Sequence, residues 1–182
     1  MRKTMVVYML ICCLAVLVSC RHQGAYVPYT PDPQETWSYS SITSPVVTND
    51  YTISIVPEYW GSYRRNFGWQ CFALSVENKT DKNIEIVWDK TLFVTKGSTS
   101  GRFMFDGVIY KDRNNPKPND IVFGNTTLTK LILPNNLLEY IRGSSMGWLH
   151  NIIPQGETGI YITIKIDEKE IGEKVIVNIS KE

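Results

Sequence analysis

The sequence predicts an all-β body, an antiparallel β-sandwich with at most one short helix. Three observations predict it. Apolar residues alternate with polar ones in separate runs between residues 51 and 179, the period of half-buried strands. Clusters rich in polar residues, glycine or proline (ENKTDKN, KGSTSG, DRNNPKPND, PQGETG, EKEIGEK) part those runs as turns do. A helix-like pattern occurs over one short stretch alone, Pro134 to Arg142. Short strands joined by polar turns belong to antiparallel sheets, where parallel ones would need long helical crossovers.

The chain opens MRKTMVVYMLICCLAVLVSC. Arg2 and Lys3 precede an almost unbroken apolar run, Met5 to Val18, too short for a comfortable membrane span of ~20 residues. It fits the core of a secretory signal, residues 1–19. The run ends Leu17-Val18-Ser19-Cys20, which resembles the lipobox of bacterial lipoproteins. That resemblance implies cleavage before Cys20 and acylation of its thiol and new amino group. A single acyl chain binds a bilayer marginally, whereas two or more hold stably. The expected address is the cell envelope: Arg21 and not aspartate follows the cysteine, which favours the outer membrane, and no acidic run follows it, which favours the periplasmic face, with exposure on the cell surface as the alternative.

Residues 20–48 carry four prolines among serine, threonine and tyrosine, and read as a tether; the domain is expected over 49–182. Within it Tyr51, Ile53 and Ile55 alternate with Thr52 and Ser54, and Phe72, Leu74 and Val76 with Cys71, Ala73 and Ser75. Ile84, Ile86 and Trp88 follow across KNIEIVWD, so NKTDKN is expected to close a hairpin. Gly107 to Arg113 reads as a strand running into a polar loop. In PNNLLEYIR, Pro134 suits a helix start and Gly143 its end; the other reading is an irregular crossover carrying Leu137, Leu138 and Ile141 to the core. Ile160, Ile162, Ile164 and Ile166 share one face, and Val175, Val177 and Ile179 end the chain in KVIVNIS, which could offer a free sheet edge.

Composition narrows the function. The 182 residues are 43% hydrophobic and 20% charged, as in a globular protein with a core. Removing residues 1–19 takes Arg2 and Lys3 from the 19 basic residues and leaves 17 against 18 acidic. A body so nearly neutral carries no footprint for nucleic acid. Of the four cysteines, Cys12 and Cys13 leave with the signal and Cys20 is lipidated. Cys71 remains alone, with no disulfide to form, and is expected buried and inert.

Catalytic signals are weak. Of two histidines, His22 lies in the tether and His150 follows Gly147-Trp148-Leu149. Gly143-Ser144-Ser145-Met146-Gly147 has the spacing of a nucleophile elbow but lacks its strand-to-helix setting. No CxxC, HExxH or DxDxDG pattern suggests a metal, and the spacing of Glu77, Asp81, Glu85 and Asp89 has no meaning in strands. No cofactor, metal site or catalytic residue is assigned, and an enzyme is not expected. The alternative is an envelope hydrolase built on carboxylates or His150.

Aromatic residues offer the better lead. Tyr59, Trp60, Tyr63, Arg64, Arg65 and Trp69 crowd into PEYWGSYRRNFGWQ. Aromatic and arginine side chains dominate binding hot spots, so these six are the candidate surface for an envelope protein or glycan partner. The plainer reading has them capping one end of the core.

The stretch 84–134, with I-x-I-x-W-D, F-V and G-V-x-Y-x-D-R in order, resembles a group of uncharacterised bacterial lipoproteins. The resemblance implies a cell-envelope lipoprotein with an immunoglobulin-like body. It implies no catalytic or binding residue. A binding or structural role follows, as an accessory component of an envelope complex.

Overall fold

A computed structural model describes residues 39–60, 68–142 and 147–181. Residues 1–38, with the signal, Cys20, His22 and most of the tether, lie outside them, as do Tyr63, Arg64, Arg65 and Ser145. The described chain is all-β, with fourteen strands and three single turns of 3-10 helix. In order the strands are β1 (Tyr39–Ser44), β2 (Val46–Val47), β3 (Tyr51–Glu58), β4 (Cys71–Asn78), β5 (Ile84–Ile86), β6 (Leu92–Thr95) and β7 (Ser98–Thr99). There follow β8 (Phe103–Phe105), β9 (Asp120–Val122), β10 (Thr127–Pro134), β11 (Leu138–Tyr140), β12 (Trp148–His150), β13 (Gly156–Ile166) and β14 (Lys169–Lys181).

One sheet runs β1-β14-β13-β5-β9, with β6 also on β13 and β7 on β6; a second runs β2-β3-β4-β10-β8, and β11 and β12 form a separate two-stranded ribbon. All their pairings are antiparallel. The alternating residues explain the stacking of the two sheets. Ile53, Ile55, Phe72, Leu74, Val76 and Ile132 from one sheet share a buried cluster with Ile84, Ile86, Phe93, Ile160, Ile162, Ile164, Val175, Val177 and Ile179 from the other. Phe72 of β4 meets Phe93 of β6 across the gap with ring centroids 6.2 Å apart. Burying one such phenylalanine is worth several kcal/mol, since truncation to alanine in a core costs ~3–5 kcal/mol.

β5 and β6 are two halves of one interrupted strand. β5 pairs with Ile164–Ile166 and β6 with Thr158–Tyr161 of β13. Between them the chain lifts into a 3-10 turn, Trp88–Lys90. The backbone groups this leaves find partners: Val87 N–H donates to Thr163 O (2.9 Å), and Thr163 Oγ1–H to Lys90 O (3.1 Å). Trp88 is buried, and its Nε1–H donates to Asp120 Oδ2 at 3.0 Å. Asp120 also pairs with Lys130, whose ammonium lies over the Phe105 ring, 4.1 Å from its centroid.

Several expectations are corrected. NKTDKN closes no hairpin: β4 and β5 lie in different sheets, and the segment crosses between them. Asn78, 1% exposed, fixes the crossing. Its Nδ2 donates to Lys82 O (2.6 Å), Val122 O (3.0 Å) and Phe123 O (3.1 Å), and its Oδ1 accepts from Thr80 N–H (3.0 Å) and Thr80 Oγ1–H (2.9 Å). Gly124 lets that loop approach, because a Cβ there would sit 2.6 Å from Asp81 O. PNNLLEYIR forms no α-helix. Pro134 ends β10, Asn135–Leu137 make one 3-10 turn, and Leu138–Tyr140 pair with Trp148–His150. So short a helix is marginal on its own, and strand geometry sends Leu137 to the main core and its neighbour Leu138 to a second one. Ile141 stays 40% exposed.

Val108 and Ile109 extend no strand, and Tyr110–Asp112 form a 3-10 turn. KVIVNIS is no free edge from Ile176 onward, where β14 lies between β13 and β1. β1 and β2 arise inside the stretch read as tether, with the switch from one sheet to the other at Pro45, which has no N–H for a ladder.

Candidate functional site

The second core lies on the far face of the β3-β4-β10-β8 sheet. Strand alternation sends Phe72, Leu74 and Ile132 to the main core and turns Cys71, Leu133 and Met104 outward. Leu138 covers these three, with Trp60, Val108, Tyr110 and Trp148 packed at the margin. The cover therefore comes from three chain segments: the end of β3, the loop after β8, and the β11-β12 ribbon. In that ribbon Leu138 pairs with His150 and Tyr140 with Trp148.

Above this small core the rings form a chain. Trp60 Nε1–H donates to Tyr110 Oη at 3.2 Å. The His150 ring lies 6.1 Å from Trp60 and 5.4 Å from Tyr110 between centroids. Tyr110 meets Trp148 edge-on at 5.6 Å, and Tyr140 lies 5.2 Å from Trp148. The Arg113 guanidinium sits over the Trp148 ring, 4.7 Å from its centroid, while Nη1–H donates to Tyr110 O at 3.1 Å. Trp60, Tyr110, Arg113, Trp148 and His150 are half-buried and Tyr140 is 57% exposed. The cluster thus presents a ribbed surface of ring edges and one guanidinium.

Buried polar groups hold it in place. Gln70, 2% exposed, accepts from Trp60 N–H (3.3 Å) and donates to His150 O (3.3 Å), tying the start of the cluster to β12. Lys117 Nζ donates to Arg113 O (2.7 Å) and Asn115 O (3.2 Å), folding the loop back behind Arg113. Burial holds this ammonium below the ordinary lysine pKa, against the pull of Asp89. Asn135 Nδ2–H donates to Arg113 O (2.5 Å) and Asn114 Oδ1 (3.2 Å).

The sequence-predicted residues divide. Trp60 belongs to the cluster. Trp69 is half-buried against the main core instead, and its carbonyl accepts from Ile153 N–H at 2.7 Å. Tyr59 is half-buried. Tyr63, Arg64 and Arg65 fall in 61–67, outside the described residues. Tyr110, Arg113, Tyr140, Trp148 and His150 were missed as a group, because 50 to 90 positions separate them from Trp60 along the chain and no local spacing joins them. Tyr110 and Arg113 did stand in the G-V-x-Y-x-D-R run, and His150 was named singly, but neither signal pointed to Trp60.

Other chemistry is sparse. Cys71 is fully buried, and burial, aided by Glu58, pushes its thiol up to about 12, so it is held as S–H and donates to Glu58 O at 3.4 Å. Among the described residues no three His, Cys, Asp or Glu side chains are grouped to hold a metal. A shallow depression lined by Asp81, Lys82, Glu85, Ile121, Lys165 and Asp167 mixes both signs of charge, with Lys82 and Asp167 joined at 2.6 Å. No helix among the described residues is long and apolar enough to cross a membrane. Comparisons with protein families, with curated proteins and with solved structures find no match to this chain.

Proposed function

We propose that this chain is a lipid-anchored bacterial envelope protein, an accessory component whose body binds another envelope protein through the ring cluster around Trp148. Residues 1–19 act as the signal, and acyl chains on Cys20 hold the body at the outer membrane, facing the periplasm. The lipobox-like LVSC and Arg21 support that address. The body is immunoglobulin-like on this reading. Its strand order supports it: β3-β4-β10-β8 follows the A-B-E-D order of such domains, and β14-β13-β5/β6 follows G-F-C. β9, lying beside β5 though it comes after β8, departs from that pattern.

The observation that carries the binding role is the convergence of Trp60, Tyr110, Tyr140, Trp148 and Arg113 from distant parts of the chain at one half-exposed place. Rings with few rotatable bonds, fixed on a rigid sheet, lose little entropy when a partner docks. A protein suits the surface better than a sugar, because Arg113 already covers one face of Trp148 and the rings meet at steep angles.

A photo-crosslinking amino acid at Tyr140, in cells, tests this. A discrete adduct with one envelope protein is expected, and Trp148→Ala should abolish it. No adduct, or one indifferent to Trp148→Ala, overturns the reading, and retention on peptidoglycan alone replaces protein by glycan. The anchor is tested separately by the mass of the amino-terminal peptide, which should begin at an acylated Cys20.

A further inference from the structure

Open strand edges are templates for pairing with other chains, and folded proteins guard them by keeping them short or by placing charge or proline on them. Most open edges here are guarded. β2 and β7 have two residues, and β8, β9, β11 and β12 have three. Where a longer strand runs past its neighbour, the exposed stretch is marked. Residues 169–175 of β14 hold Lys169, Glu170, Glu173 and Lys174, residues 54–58 of β3 hold Pro57 and Glu58, and residues 127–131 of β10 hold Lys130.

β1 has no such guard. Its six residues, Tyr39-Ser-Ser-Ile-Thr-Ser44, include no charge and no proline, and are rich in types that favour strands. One edge is fully paired with β14, from Tyr39↔Lys181 to Ser44↔Ile176. Among the described residues no strand lies beside the opposite edge. Near the middle stands Ile42, 74% exposed, more than any other large apolar residue among those described.

We propose that β1 is a self-association edge, which pairs antiparallel with β1 of a second copy about a twofold axis at Ile42 and joins two sandwiches through one continuous sheet. The chemistry of the edge selects the occupant. Identical uncharged strands pair antiparallel without repulsion, and a twofold at Ile42 sets the two exposed isoleucines opposite each other, Cβ atoms ~5 Å apart. The chain's own upstream residues are a poor substitute, because Pro28, Pro31 and Pro33 supply no ladder N–H. Confinement of anchored copies to one membrane would raise their effective concentration, but the edge itself does not depend on the anchor.

The test places a photo-crosslinking residue at Ile42, or at Ile121 on the opposite edge of the sheet as control, in the full-length chain in its native membranes. The expected result is an adduct of two copies of this chain from position 42 and not from 121. Ile42→Lys on a differently tagged second copy should lower its yield, by up to about fivefold through loss of the apolar pair at the axis. Equal yield from both positions, no dimer adduct, an adduct with a different protein, or a link from position 42 to residues 21–38 of the same chain would each overturn the proposal.

Discussion

Replacing Asn78 by alanine should cost about 3 kcal/mol of folding stability, most of it at a single carbonyl. Val122 O is buried and receives Asn78 Nδ2–H at 3.0 Å, so its loss approaches the ~1–3 kcal/mol of an unsatisfied buried group. The other two acceptors lose less. Lys82 O retains Thr80 Oγ1–H (3.3 Å) and Phe123 O retains Thr126 Oγ1–H (2.7 Å), so each forfeits only the ~0.5–1.5 kcal/mol net value of an ordinary hydrogen bond. Urea unfolding followed by tryptophan emission reads the sum. With a slope of ~1–3 kcal/mol per molar, the midpoint should fall by roughly 1–3 M at unchanged slope. Asn78→Asp sharpens the test. Above its pKa the new carboxylate would face three carbonyls with no proton to give, so its folded pKa must rise above the ~3.9 of an unfolded aspartate. The folded chain then keeps a proton that the unfolded chain releases, and stability falls as pH rises from about 4. A midpoint shift under ~0.3 M for Asn78→Ala, or an Asn78→Asp variant no more stable at pH 4 than at pH 7, would refute the role given to this side chain.

Two further outcomes follow from the packing. Gly159 in β13 has Val175 O of the paired strand 2.1 Å from where a Cβ would stand, so Gly159→Ala should force the longest ladder apart, at ~3 kcal/mol and a melting point lowered by roughly 10 °C in circular dichroism. Cys71 should resist maleimide at pH 8 in the folded protein and react at once in urea. Because its folded pKa of about 12 lies above the ordinary 9.0, the stability it contributes is full below pH 9 and lost as pH rises toward 12; a Cys71→Val variant should lack that part of the alkaline decline.

Strands that bury one face were legible in the sequence, because a period of two is written directly in residues such as Ile53 and Ile55, Ile160 to Ile164, and Val175 to Ile179. What escaped was whatever depends on partners distant in sequence. Nothing local in NKTDKN says that Asn78 will reach Val122 and Phe123 and so turn a hairpin into a crossing. Leu137 and Leu138 look like one helical face until each is given its own core. β1 is held by backbone pairing, and Ser41 to Ser44 bury no side chain completely, so no apolar alternation betrays it. The ring cluster was half visible. Trp60 stood in the aromatic stretch, but Trp148 and His150 reach it only through the pairing of β12 with β11, and Trp69, nine positions from Trp60, goes to the other side of the sheet.

The ladder between β1 and β14 starts at Tyr39 and Lys181, the first residue of one strand and the last of the other. Tension applied between those two residues would therefore act on one rung at a time, as on a zipper, and not on all six together. Because Ser41 to Ser44 bury no side chain completely, β1 can come away while β3 to β14 keep their packing. At ~3.4 Å per residue the chain would gain about 20 Å of reach before the body bore any load, a built-in compliance between whatever holds the amino terminus and whatever the sandwich grips.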